Sequence, residues 1–494
     1  MSDTLFPFFN SNSDKVALVE GENKHTYSEV NDRINLFSSG ILGAKEDLNE
    51  ERIAFFLPAS LDYVTTMHGV WRAGGIAVPL NVASAVSELD HYLTCAKVTR
   101  LIAGTQYHDS LKGLCNSLKI ELLSVSDVMA EEPRALPLIN PERRAMMLFT
   151  SGTTNKPKGV VSTHKTICAQ ITTLITAWEW SERDVIPLFL PLHHIHGIIN
   201  ILSCGLWAGA TVHLFSKFDI PKISKQITHG TYNVFMAVPT IYVKLIQYFE
   251  TIEKDEVDKI CAGFSAMRLN ISGSAACPVK LFEQWKELTG QILLERYGMT
   301  EIGMGISNPY NGERRAGAVG QPLPGVQCQL FDENDNVVER ESEPGEIRIK
   351  GDNVFLEYWE NEEATKSSFK DGWFCTGDVA VVEQGYYRIM GRSSVDIIKS
   401  GGYKLSALEI EGVLLTHDSI SEVAVIGIED DIWGEAVTAF VALKEGTALE
   451  FDSLKSWCEG RMSSYKIPKH LKLVDALPRN AMGKVTKPSL KELL

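Results

Sequence analysis

An apolar strand, an amphipathic helix and a second apolar strand follow one another without a break from Arg52 to Leu80. "RIAFFLP" reads as the first strand, "SLDYVTTMHGVWRAG" as a helix with a serine cap, and "GIAVPL" as the second strand. A helix between two such strands is a crossover, so the strands are parallel and the helix must cover one face of their sheet. The rhythm recurs at "VIPLFLPL", "IHGIINILSCGLWAGA" and "TVHLF". A chain of 494 residues can hold several such units around a large core. The fold class expected is α/β with parallel-rich sheets.

The texture changes after about Gly325. "VQCQLFDENDNVV", "GEIRIKG" and "GYYRIMGR" are short strands broken by Asp, Asn and Gly, the pattern of antiparallel β structure. Beyond Ser393, "VDIIKSGGYKLSALEIEGVLLTH" reads as a strand, a Gly401-Gly402 turn and a helix opening at Ser406. Ser406 and Glu409 have capping-box spacing. The strands "VAVIGI" and "AFVAL", a helix near "SLKSWCEGRM" and a polar tail complete a small α+β domain.

The formal net charge of −15 argues against nucleic acid as a partner, because duplex binding relies on clustered Lys and Arg. Nine scattered cysteines contain no C-x-x-C pair and suggest neither a disulfide framework nor structural zinc. No run approaches the roughly 18 apolar residues of a membrane span, so no integral membrane association is expected. The opening residues lack a basic segment followed by an apolar core, which leads to the expectation of a cytoplasmic protein.

"TSGTTNKPKG", Thr150 to Gly159, follows the buried-strand pattern "AMMLF" and cannot build a core. Glycines let backbone N–H groups approach a ligand, hydroxyls donate to oxyanions and lysines add charge, a combination suited to polyphosphate. It is not the Walker pattern: Pro157 stands five residues after Gly152 and no Gly-Lys-Ser/Thr follows. The blander alternative is a polar surface loop. Four more motifs follow at long intervals: "ERYGMTEIG", "FCTGDVA", "MGRSSVDIIKSGGYKLSALEIE" and "PRNAMGKV".

With these five motifs in this order, the sequence resembles the adenylate-forming superfamily of acyl-CoA synthetases, adenylation domains and luciferases, from about Val16 to Lys487. The resemblance implies a large N-terminal domain, 1–392, with parallel-rich sheets, helices and a small β-barrel. A small mobile α+β domain, 393–494, would carry the catalytic lysine. It implies that Thr150, Ser151, Gly152, Thr153, Thr154 and Lys158 hold the β- and γ-phosphates of ATP. Tyr297 lies beside adenine, Thr300 contacts the α-phosphate and Glu301 is the Mg²⁺ ligand. Asp378 accepts the ribose hydroxyls and Arg392 is a second ribose contact. Lys484 is the catalytic lysine, able to offset the repulsion between an attacking carboxylate and the α-phosphate. Gly401 and Gly402 line the thiol tunnel to CoA. The hinge position, usually Asp or Lys, is Ser394.

The acyl site implied by the resemblance lies between "LPLHHIHGIINILSCGLWAGAT" and "MRLNISGSAACP", which include His196, Ser272, Gly273 and Ser274. Arg268 and His196 depart from a plain apolar pocket, and together would hold a second carboxylate. The branch resembled is the malonyl-CoA synthetases. The expected reaction joins malonate or a short dicarboxylate to CoA with ATP conversion to AMP and diphosphate. A medium- or long-chain fatty acid is the alternative substrate, with Arg268 then a strand-edge arginine paired with an acid and His196 a structural histidine. A nucleotide-binding scaffold without catalysis is the alternative of another class, and predicts damage at Glu301, Asp378, Arg392 or Lys484.

Overall fold

A computed structural model describes residues 9, 14–150, 157–401, 403–430, 432–479 and 485–494. Ser151, Gly152, Thr153, Thr154, Gly402 and Lys484 lie outside the described residues. The chain forms two compact units. The first comprises 1–316, 321–327 and 350–372, and the second 317–320, 328–349 and 373–494.

The first unit bears out the parallel-rich α/β reading. Arg52–Phe56 pairs in parallel with Ile76–Pro79, and Ser60 caps the intervening helix Leu61–Arg72 by accepting the Tyr63 N–H at 3.2 Å. These strands sit inside a seven-stranded sheet that also contains Arg144–Thr150. Alternate residues of the sheet, including Ala54, Val78, Leu101 and Met147, bury one face in a continuous apolar core.

The strand Arg144–Thr150 does not continue into a crossover. It turns back as Lys158–Thr163, antiparallel, with Thr150 directly opposite Lys158. The two ends of the hydroxyl-rich stretch that are described, Thr150 and Lys158, are therefore fixed by ladder pairing. Thr163 then caps the helix His164–Ala177.

The second expected crossover also forms, since Val185–Leu188 and Thr211–Leu214 are parallel neighbours. Between them His196–Ser203 is a π-helix that runs into the α-helix Cys204–Ala208. Such wide turns are rare and concentrate at functional sites. A further sheet orders Val234–Ala237, Leu269–Ser272, Leu294–Met299 and Gly303–Ser307. Phe235, Tyr242, Phe264 and Trp285 pack edge to face beneath it, with ring centroids 4.7–5.9 Å apart. Tyr242 also donates to the Ile271 carbonyl at 2.7 Å, which fixes the strand leading into the Ser272–Ser274 turn.

In the second unit the expected barrel strands form an antiparallel sheet in which Trp373–Glu383 pairs with Gly345–Lys350 and with Tyr386–Arg392. The C-terminal α+β region pairs Ile420–Asp430 with Gly434–Leu443 and adds His470–Leu473 in parallel. Tyr403–Ser406 is a strand, not a plain approach to the helix: it pairs antiparallel with Ile397–Ser400. The helix Ala407–Leu414 packs Ile410 and Leu414 into the core beside Val423 and Val437. Only one half of the expected capping box is seen among the described residues. Ser406 accepts the Glu409 N–H at 3.1 Å, while the Glu409 carboxylate pairs with Lys466 at 2.5 Å.

Candidate active site

Three elements of the first unit converge on one polar group. His196 opens the π-helix, Ser274 follows the strand Leu269–Ser272, and Arg296 lies on the neighbouring strand Leu294–Met299. Ser274 Oγ lies 3.1 Å from His196 Nδ1 and accepts a hydrogen bond from Arg296 Nη2 at 3.2 Å. Ser274 itself is exposed and holds φ of +68°, a left-handed conformation that a non-glycine residue adopts at some cost. Gly273 permits the approach: a Cβ there would lie 2.6 Å from the Arg296 guanidinium carbon.

His196 and Arg296 are 5% and 4% exposed, and burial governs their chemistry. Loss of water pushes the His196 imidazole well below its ordinary range, and the neighbouring Arg296 and His194 push it further, so it is neutral. Burial lowers Arg296 to about 9. Among the described residues, Arg296 Nε and His196 Nε2 have no hydrogen-bond partner. Buried donors without partners are costly, so this set suits an anionic, acceptor-rich ligand.

Arg268 is elsewhere engaged, which corrects the expected pairing with His196. Its Nε and Nη2 both reach Asp184 at 2.7 Å, its Nη1 donates to the Trp178 carbonyl at 2.8 Å, and its guanidinium lies 5.3 Å from the centre of the Tyr310 ring. Asp184 also accepts from Ser181 N and Asn233 Nδ2, so Arg268 locks together the starts of several strands. The guanidinium beside His196 belongs to Arg296. That residue stands inside "ERYGMTEIG", but the sequence signal drew attention to its neighbours Tyr297, Thr300 and Glu301.

Lys158 and Glu301 both meet one aromatic ring, Lys158 over its face and Glu301 at its hydroxyl. Tyr358 donates its hydroxyl to Glu301 Oε1 at 3.0 Å, and Lys158 Nζ lies 5.0 Å from the centre of the same ring. Tyr358 is held there because Glu357–Tyr358 pairs antiparallel with the hairpin strand at Val160 and Val161. Nothing in the sequence marked it, since its partner lies far along the chain. Glu301 is buried in the turn after Thr300, and its carbonyl accepts the Phe355 N–H at 2.7 Å. Tyr297 is half-buried on the strand between Arg296 and this turn.

In the second unit Asp378 and Arg392 face each other across an antiparallel pair, with Arg392 Nε 2.8 Å from Asp378 Oδ1. Arg392 Nη1 also donates to the Thr376 carbonyl at 3.1 Å. Gly401 has φ of +57°, and a Cβ there would meet the Trp433 ring at 3.3 Å. Ser394 is exposed in the turn after Arg392.

A profile described as "AMP-binding enzyme" matches residues 8–359, and one described as "AMP-binding enzyme C-terminal domain" matches 409–484. The chain belongs to the AMP-binding enzyme family. It is similar to the mitochondrial malonate–CoA ligase ACSF3 of Mus musculus, at 42% identity over 97% of this chain and 88% of that protein. It is 39% identical to a malonate–CoA ligase of Arabidopsis thaliana, over 90% of this chain and 78% of that one. The solved structure of ATP-bound MatB from Rhodopseudomonas palustris is similar over 100% of this chain and 99% of that chain, with a TM-score of 0.89 and 32% identity. The AMP-binding family agrees with the adenylate-forming resemblance carried by the five motifs. Among the described residues no helix is long and apolar enough to cross a membrane.

Proposed function

We propose that this enzyme is an ATP-dependent malonate–CoA ligase, joining malonate, ATP and CoA to give malonyl-CoA, AMP and diphosphate. The observation that carries the reading is the pair of buried side chains Arg296 and His196, joined through Ser274 Oγ, with Arg296 Nε and His196 Nε2 left without a hydrogen-bond partner among the described residues. A fatty acid would leave that guanidinium desolvated and unpaired, a heavy penalty. A short diacid satisfies it with its far carboxylate. Names of similar proteins support the same substrate.

The roles follow from the side chains. Arg296 grips the far carboxylate, and Ser274 and the neutral His196 orient it. The near carboxylate attacks the α-phosphorus of ATP; the bond from that phosphorus to the bridging oxygen breaks and diphosphate leaves. Thr150, Lys158 and the loop residues Ser151, Gly152, Thr153 and Thr154 would hold the departing phosphates. Tyr297 would lie against adenine, Thr300 would contact the α-phosphate, and Asp378 with Arg392 would take the ribose. Lys484 would offset charge on the transferring phosphoryl group. The CoA thiol then attacks the acyl carbon of the mixed anhydride and AMP leaves, with Gly401 and Gly402 lining the thiol's approach.

Glu301 fits a Mg²⁺ ligand: it is a buried carboxylate fixed by the Tyr358 hydroxyl, and Lys158, over the face of the same ring, would share the phosphates. Bound there, Mg²⁺ would supply charge neutralisation for phosphate oxygens. We place the functional division between 1–392 and 393–494, with Ser394 as the turning point. The nine cysteines are free, which fits a reducing compartment; we assign the cytoplasm, with the mitochondrion of the mouse relative's name as the second reading, to be separated by cell fractionation.

The deciding experiment is an acid panel of malonate, methylmalonate, acetate, octanoate and palmitate, scored by AMP release with CoA. Malonate should be used best. Preference for octanoate or palmitate overturns the diacid reading, and no AMP release with any acid favours a non-catalytic scaffold.

A further inference from the structure

The tail beyond Lys484 is tied into the C-terminal domain by a second lysine. Lys487 Nζ lies 2.5 Å from Asp396 Oδ1 and 2.7 Å from Glu411 Oε1, and all three side chains are nearly buried, at 10%, 14% and 13% exposure. Lysine is seldom buried without such partners. Glu411 also accepts the Val425 N–H at 2.7 Å; burial raises its carboxyl, and Lys487 opposes that rise. Asp396 uses its other oxygen to accept the Arg392 N–H at 3.0 Å. Arg392 in turn holds Asp378.

Backbone bonds also join the described residues on the two sides of 480–484. Arg479 and Val485 form an antiparallel bridge, and the Thr486 N–H donates to the Pro478 carbonyl at 2.8 Å. Val485 packs on a cluster that includes Ile426, Phe440 and Leu490. Lys487 thus sits at the foot of the segment that carries Lys484, and its two carboxylate partners lie beside the first strand and on the first helix after the hinge position. Asp396, Glu411 and Lys487 all follow Ser394 in sequence, so a turn about Ser394 carries their bonds along intact. The Arg392 N–H bond to Asp396 spans Ser394 and is the one that such a turn must remake.

We propose that Lys487 is a positioning residue for adenylation: held by Asp396 and Glu411, it fixes the foot of the tail and so sets the reach of Lys484 to the α-phosphate. This rests on the reading of Lys484 as the adenylation lysine. The chain Asp378–Arg392–Asp396–Lys487 also makes the foot of the tail continuous with the carboxylate proposed for ribose.

The test separates the two half-reactions in the full-length enzyme. Malonate-dependent ATP–pyrophosphate exchange reports adenylation, and thioester formation from supplied malonyl-adenylate and CoA reports the second half. Lys487→Ala should lower exchange about 100-fold, the scale of a misplaced reacting group, and leave the thioester step within about threefold. Lys487→Arg, which keeps the charge, should recover most of the exchange. Equal loss in both half-reactions, or no loss in either, overturns the anchor. Glu411→Gln is the second variant should Lys487→Ala fail to fold; it keeps the Asp396 pair and should lower exchange alone, and an unchanged exchange rate refutes the role. Lys484→Ala must abolish exchange. If it does not, the reading of Lys484 fails and the anchor with it, whereas loss in Lys484→Ala with normal Lys487→Ala removes the anchor only.

Discussion

Two arginines separated by 28 positions do opposite work, and their partners decide which does what. Arg268 spends its donors on Asp184 and Trp178, whereas Arg296 keeps its Nε without a partner among the described residues beside a neutral histidine. Arg296→Ala should therefore lower kcat/KM for malonate about 100-fold, roughly 3 kcal/mol, while leaving the KM for ATP within about twofold. Arg268→Ala should act on stability instead. It strands Asp184, whose side chain is 1% exposed, and should cost about 3 kcal/mol, read as a lowered Tm with KM for malonate little changed. A variant pair with these effects exchanged would return the diacid grip to Arg268.

At the scale of elements, the site depends on where strands end. The turn after Leu269–Ser272 holds Ser274 left-handed and leaves no room for a side chain at Gly273. Gly273→Ala should displace the Arg296 guanidinium, lowering malonate turnover about tenfold or more while the circular dichroism spectrum stays that of the parent. Full activity in that variant would show that the close approach is dispensable. The hairpin proposed to hold phosphate follows the same logic. Its hairpin base, Thr150 against Lys158, is set by ladder pairing, and Tyr358 is set beside it by a third strand. The sequence shows the loop's chemistry because that is local composition. It does not show Tyr358, because strand pairing across nearly two hundred residues leaves no local trace. The half-formed capping box has a similar cause: Glu409 has the right spacing, but a lysine from another segment takes its carboxylate.

For the whole molecule, burial of histidines makes stability depend on pH. His68 and His164 lie in the first unit with pKa lowered to about 3 and about 4, chiefly by loss of water, and His196 is pushed down as well. Unfolded histidine titrates near 6.5, so below that pH the unfolded chain takes up protons that the folded chain refuses. The stabilising effect is complete above about pH 6.5 and is lost as pH falls toward 4. At pH 5 a group such as His164 costs about 2 kcal/mol of stability relative to pH 7.5. Thermal unfolding should show Tm falling between pH 7 and pH 5, and a flat profile across that range would contradict the burial of neutral imidazoles. Replacing His164 with glutamine should flatten the fall.

The sequence by itself determined the two parallel crossovers, the change to antiparallel strands near Gly325, the hydroxyl- and lysine-rich composition of 150–159 and the order of five motifs. Each is written in residues close together in the chain, where periodicity, caps and turn chemistry act. Tertiary structure decided which arginine meets His196, what holds Glu301 and what fastens the foot of the tail. Those outcomes depend on partners that arrive from distant segments, and a charged side chain takes its meaning from whether such a partner neutralises it. Arg268 and Arg296 look alike in the sequence; Asp184 reaches only one of them.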